Sequence, residues 1–219
     1  MAQEKSSKQR GCRGRPQLRS DDETREIVFD VARHAFAANG YAATSTEELA
    51  RRAGISTKTL YRLFPAKAAL FEAMVAGRLD KLLSDVHLQA TDSVDIDEGL
   101  FAALLACADL ALDPEVVALQ RIVLQESATF PELAATFYRN GIARTAAALA
   151  RWLRGAVKRK LIALSDVEQA AGILIGMVAS GPQRAAIYGG LPLPGRTEIE
   201  RRVRTCVALF LDGCRVTRA

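Results

Sequence analysis

Residues Ile55 to Phe64 read ISTKTLYRLF. Leu60 and Phe64 stand four apart, the spacing that puts two side chains on one face of an α-helix, and both want a core. Thr57, Lys58, Thr59, Tyr61 and Arg62 carry donors on the remaining faces. Ser56 can cap the first turn and Pro65 forbids continuation, so the spacing predicts a short helix over residues 57–64. In isolation such a stretch is equally a solvated amphipathic helix. Its surroundings give the polar face a use.

Just upstream, Ser45-Thr46-Glu47-Glu48 has the form of a capping box: Ser45 caps the backbone and Glu48, three residues on, reaches back. Leu49, Ala50 and Ala53 follow at inward positions, and Gly54 ends that helix after about two turns. Two short helices around a glycine-containing turn form a helix-turn-helix. A longer helix precedes them from Asp22, with Val28, Ala32, Ala35 and Phe36 at three- and four-residue steps and a stop at Asn39-Gly40. In such a motif the second helix enters the DNA major groove with its first turn toward base edges. Thr57, Lys58 and Thr59 occupy that turn. Threonine brings a hydroxyl and a thymine-seeking methyl, lysine a donor for guanine or phosphate, and Tyr61 a hydroxyl for a phosphate.

The charge distribution points the same way. Residues 1–20 hold Lys5, Lys8, Arg10, Arg13, Arg15 and Arg19 against Glu4, so the whole formal excess of +5 lies there. The segment lacks aromatic residues and is rich in Ser, Gly, Gln and Arg, so it is expected to be a disordered basic arm that seeks polyanions. Its Arg13-Gly14-Arg15-Pro16 resembles the centre of an AT-hook, which lies in an A·T minor groove. A solvated tail explains the same composition equally well.

At 219 residues, 49% apolar and 25% charged, the chain has the composition of a soluble globule with a sizeable core. The longest apolar run, residues 170–181, falls short of a bilayer span, and the N-terminal segment has no apolar signal core, so a cytoplasmic protein without a membrane partner is expected. Cys12, Cys107, Cys206 and Cys214 form no C-x-x-C pair, and His34 and His87 are far apart. No metal or cofactor is expected; the cysteines read as small apolar residues, with a redox-sensing thiol as the alternative. Absence of G-x-S-x-G and of a glycine-rich phosphate loop argues against an enzyme.

Beyond Lys67 the pattern stays helical. Helices are expected to about Leu88, over Glu98–Leu112, from Asp113-Pro114, from Pro131 to Lys160, and from two further capping boxes at Ser165–Glu168 and Thr197–Glu200. The fold class is therefore all-α.

Gly14 to about Ala76 resembles a known family. Thr24-Arg25-Glu26, Phe36, Gly40-Tyr41, Ala43-Thr44-Ser45, Ala50, Ala53-Gly54-Ile55-Ser56, Thr59-Leu60-Tyr61, Phe64-Pro65, Lys67 and Leu70-Phe71 are similar, in register, to the DNA-binding domain of tetracycline-repressor-like (TetR/AcrR) regulators. The resemblance implies three parts: the arm over 1–20, a helix-turn-helix DNA-binding domain over 21–66, and a helical ligand-binding and dimerisation domain over 67–219. It further implies a homodimer on a partly palindromic double-stranded operator, with reading heads spaced about 34–36 Å or a multiple apart.

By position, the resemblance places Ser45, Thr46, Tyr61 and Lys67 on phosphates and Thr57, Lys58 and Thr59 in the groove, with Arg13 and Arg15 added by the arm. Leu63 stands where the family often has a backbone-touching His or Tyr, and Ala66 where it often has a helix-capping Ser. An apolar effector pocket is implied among the middle helices, for which Leu104, Cys107, Ile122, Glu126, Phe137 and Trp152 are candidates. Leu174, Val178, Val203, Val207 and Phe210, on the last two helices, are the expected dimer face; covering their own core is the alternative. The function so implied is that of a repressor released by a small lipophilic or aromatic effector. The fold leaves an activator open, and an architectural DNA-binding protein without effector or, less in keeping with the residues, a small-molecule enzyme are the alternatives.

Overall fold

A computed structural model describes residues 19–77 and 95–214, and every element of secondary structure among them is a helix. In chain order these are α1 (Asp21–Asn39), α2 (Thr46–Arg52), α3 (Thr57–Leu63), α4 (described over 67–77), α5 (Ile96–Ala111), α6 (Pro114–Glu126), α7 (Pro131–Phe137), α8 (Arg144–Lys158), α9 (Val167–Gly189) and α10 (Arg196–Cys214). The arm up to residue 18, with Arg13 and Arg15, and the expected end of α4 near Leu88 lie outside the described residues.

Helix starts follow the capping chemistry. Ser20 and Glu23 form a reciprocal box on α1: the Ser20 hydroxyl accepts the Glu23 N–H at 3.1 Å, and the Glu23 carboxylate accepts the Ser20 N–H at 2.8 Å. Those contacts hold the Glu23 carboxyl below its usual range. Ser45 accepts the Glu48 N–H as expected, at 3.1 Å, but Glu48 turns its carboxylate to Arg52 instead of closing the box. Asp113 accepts the N–H groups of Glu115 and Val116 ahead of α6.

Three expectations for the later helices are corrected. Asp166, rather than Ser165, caps α9: its side-chain oxygen stands one residue before the helix and accepts the Gln169 N–H at 2.8 Å. At α10 the Glu198 and Ile199 N–H groups go to the Gly195 carbonyl, and the helix opens at Arg196, which grips Glu200 and Asp109. The single helix foreseen over 131–160 is α7 and α8 joined by a π-helical turn, Tyr138–Ala143.

Two cores organise the molecule. The first joins α1–α4 to α6 and α7, with Phe36, Leu49, Leu60 and Phe71 packed against Leu119, Ile122 and Leu133. Tyr41 sits inside it, its ring centroid 5.1 Å from those of Phe36 and Phe130. The second joins α5, α8, α9 and α10 through Leu100, Leu104, Leu153, Leu174, Val203 and Leu211. The reading head thus shares a continuous core with part of the C-terminal region, and an Arg33–Glu115 ion pair adds a polar tie between α1 and α6.

The stripe expected to face a second subunit faces inward instead. Leu174, Val178, Val203 and Val207 are each at most 5% exposed, and Phe210 packs on the same second core. One chain needs those side chains to hold α9 and α10 against α5 and α8. The outward residues are others: Ile173 and Tyr188 on α9, and Leu209 on α10, are more than half exposed.

Pro182 lies inside α9, where it supplies no N–H and its ring crowds the carbonyl four residues back, that of Val178. Arg202 of α10 fills the gap. Its Nε donates to the Val178 carbonyl at 2.9 Å and its Nη2 to that of Met177 at 2.8 Å. Gly181 makes the approach feasible, since a Cβ there would stand 3.1 Å from Arg202 Nη2. Among the described residues no helix is long and apolar enough to cross a membrane.

Candidate nucleic-acid interface and internal cavity

Ser56 sets the first turn of α3 by accepting the Thr59 N–H at 3.0 Å, and the two hydroxyls meet at 2.9 Å. Leu60 and Leu63 anchor the helix from below, which is why Leu63 is not free to touch the DNA backbone. Lys58 is exposed, and Thr57 and Thr59 flank it half-buried. Tyr61, 46% exposed, puts its hydroxyl 2.9 Å from that of Thr46 at the start of α2. Ser45, Thr46, Tyr61 and Lys67 all line one open hollow of about 480 Å³ between α2, α3 and the start of α4. Arg62 is engaged elsewhere on the head. It makes a bidentate pair with Asp21, both hydrogen bonds at 2.7 Å, tying the end of α3 to the start of α1.

Lys67 departs from its expected role. Its ammonium donates to the carbonyls of Tyr41, Thr44 and Ala42, at 2.7, 3.0 and 3.3 Å, and lies 4.4 Å from the Tyr41 ring centroid. Three donors are all an ammonium has, so the side chain is spent on the turn between α1 and α2 rather than offered to a phosphate. Desolvation lowers its pKa, with Glu126 opposing the shift.

A cavity of about 270 Å³ lies where the two cores meet. Leu110 and Ala111 of α5, Val116, Leu119 and Gln120 of α6, and Val75 of α4 form one side. Phe137, Gly141, Ile142 and Thr145 form another, so the π-helical turn opens onto it. Along α9 the wall is Gly172, Ile175, Gly176, Ala179, Ser180 and Gln183. Of the six residues expected in a pocket, Phe137 alone lines this cavity. Leu104, Cys107 and Trp152 belong to the second core, and Ile122 to the first. The reason is geometric: large apolar residues at helical spacing fill space, whereas a void opens beside glycine and alanine. The small residues of α9 are the legible signal, but in sequence alone close helix packing accounts for them just as well. Burial pushes the Cys107 thiol up to about 12, which leaves it unreactive at neutral pH.

Comparison with known proteins supplies the family. Residues 28–74 match the family described as bacterial regulatory proteins, tetR family, and residues 98–213 match the AefR-like transcriptional repressor C-terminal domain. The chain belongs to the TetR family of transcriptional regulators. It is similar to the HTH-type transcriptional activator FasR of Mycolicibacterium smegmatis, with 31% identity over 114 residues, 52% of each chain. It spans about half the length of the curated relatives it matches. Two solved structures align over 90% of the chain at 29% identity: a protein described as a TetR-family regulator from Mesorhizobium loti (TM-score 0.76, 98% of that chain) and the flavonoid-responsive regulator FrrA (TM-score 0.74, 100% of that chain).

Within this TetR-family regulator, Glu126 has a place that sequence reading missed. Expected in the pocket, it instead ends α6 by reaching across to the head, where its Oε1 accepts the N–H groups of Tyr41 at 2.8 Å and Ala42 at 3.3 Å. Gly40 clears the way: it has φ +84°, and a Cβ would lie 2.9 Å from Glu126 Oε1. The turn leading into α2 is thus held by Lys67 on its carbonyls and by Glu126 on its N–H groups. Burial first, then the charges of Glu132 and Glu126, push the Tyr41 phenol up to about 12.

Proposed function

We propose that the chain is a ligand-responsive repressor that binds a partly palindromic operator as a homodimer and is released by a small lipophilic or aromatic effector. One observation carries the reading: an exposed Lys58, flanked by Thr57 and Thr59 on a rigidly capped first turn, stands beside a hollow lined by Ser45, Thr46 and Tyr61. That arrangement suits a helix inserted in the major groove with phosphates gripped at its edge. Arg13 and Arg15 would extend the grip into a minor groove, and a cytoplasmic location follows from the DNA partner.

The exposed Ile173, Tyr188 and Leu209 on α9 and α10 are the surface a twofold partner would cover. Effector response is supported by the cavity, whose wall includes Val75 of α4, the helix that Lys67 joins to the head. A ligand that favours one setting of α4 shifts the populations of DNA-competent and released states, and a coupling of roughly 1–3 kcal/mol changes operator affinity about 5- to 150-fold. Repression is the sign carried by the description of the matched C-terminal domain, and FasR is described as an activator, so a reporter assay with and without the chain decides the sign.

Selection of bound fragments from random genomic DNA tests the central claim. Enrichment of a recurring inverted repeat, protected over both halves, is the expected result. Uniform coverage without a preferred sequence would replace it with an architectural role.

A further inference from the structure

The cavity is built for one kind of occupant. Among the described residues no charged side chain lines it, so an ion entering it would give up its hydration without a counter-charge from them. Most of the wall is aliphatic or aromatic, and its polar side chains are Gln120, Thr145, Ser180 and Gln183. Gln120 Oε1 is buried and has no hydrogen-bond partner among the described residues. Gln183 donates one of its two Nε2 hydrogens to the Ala111 carbonyl at 2.9 Å, which leaves its side-chain oxygen as an acceptor and one N–H as a donor. Thr145 likewise donates its hydroxyl hydrogen to the Gly141 carbonyl, at 3.1 Å.

A buried acceptor without a donor is costly, and a ligand that supplies an O–H or N–H removes that cost. We propose that this cavity binds an uncharged, largely apolar molecule bearing a hydroxyl, a phenol or an alcohol, which donates its hydrogen bond to Gln120 Oε1, and that it rejects carboxylates of the same shape. A phenol stays protonated near neutral pH whereas a carboxylic acid is ionised, so the two are separated by charge as well as by donor. Discrimination should be strong, because a site built to hydrogen-bond a substrate hydroxyl disfavours the analogue that lacks it. The proposal rests on the reading of the chain as a ligand-responsive regulator, and it adds the chemistry of the ligand and the residue that selects it.

The test uses the full chain and three probes on one skeleton: 2-naphthol, 2-methoxynaphthalene and 2-naphthoate, titrated by calorimetry at pH 7. Naphthol should bind at least about tenfold more tightly than the ether, and naphthoate should give no heat of binding. In Gln120→Leu the alcohol should lose its advantage over the ether while the ether still binds, an outcome that a merely misfolded variant cannot produce. Naphthoate binding as well as naphthol, an undiminished preference in Gln120→Leu, or no binding of any probe to the wild type would each overturn the assignment. Repeating the titration with operator DNA present separates the two claims. Naphthol bound with the stated preference but without effect on DNA leaves the ligand class standing and removes the response. Naphthoate releasing DNA does the reverse.

Discussion

Glu126, on the last turn of α6, holds the backbone of Tyr41 through a 2.8 Å hydrogen bond across 85 residues of sequence. Replacing it with alanine leaves two N–H groups of the α1–α2 turn without their acceptor, at a cost of about 1–3 kcal/mol in unfolding free energy. Glu126→Gln keeps an acceptor oxygen and should recover most of that loss. Urea unfolding of the two variants checks the order; equal stability of Glu126→Ala and wild type would show the hydrogen bond to be incidental.

The two lysines near the hollow should separate cleanly. Lys58→Ala is expected to weaken operator binding by roughly 1–3 kcal/mol while leaving the unfolding midpoint in place, as for an exposed base-reading residue. Lys67→Ala should lower stability, because three carbonyls lose their donor. A large binding loss at unchanged stability in Lys67→Ala would return that residue to the DNA face.

A double-mutant cycle on Gly181 and Arg202 probes the proline site of α9. Arg202→Met should cost about 1–3 kcal/mol by baring the Val178 carbonyl. Gly181→Ala alone must displace the guanidinium. In the Arg202→Met background the same change should be stabilising, because alanine favours helix over glycine by about 1 kcal/mol. Additive effects would argue that the two residues do not meet.

Tyr41 predicts an alkaline limit. Its phenol is pushed from the ordinary value near 10 up to about 12 in the folded chain, so the fold favours the neutral ring. The associated stability is complete below the unfolded value and is lost as pH rises through that window, because the unfolded state gives up its proton first. Melting temperature should fall less steeply between pH 10 and 12 in Tyr41→Phe than in wild type. Parallel curves would assign the alkaline loss to lysines and arginines.

Removal of residues 1–18 should weaken operator binding and flatten its dependence on salt, by about one unit of slope for each phosphate that the arm no longer neutralises. The cut must spare Ser20, which caps α1. An unchanged slope would leave the arm in solution.

The sequence was most legible where local chemistry acts alone. Ser45, Ser56, Asp113 and the prolines at 65, 114 and 131 marked helix ends because capping and missing N–H groups act within a few residues. Legibility failed where the partner lies far along the chain. Glu126 and Lys67 carry no local sign that both will close on one turn, and Arg202 gives none that it will cover a carbonyl exposed by a proline twenty residues earlier. Leu174 and Val203 form a correct apolar stripe, but periodicity alone does not say whether a stripe meets its own chain or another.

The turn at Tyr138–Ala143 has a further implication for how this wall can be altered. A π-helical turn accommodates one residue more than the regular α-helix around it. Deleting a single position there would restore an unbroken 3.6-residue pitch while leaving Pro131–Phe137 and α8 in their present phase, because the surplus residue is absorbed within the turn itself. Leu133 and Phe137 would keep their seats in the first core, and the change would fall on the widened turn that carries Gly141 and Ile142 into the cavity wall, so the length of this segment, and not only its composition, shapes that void.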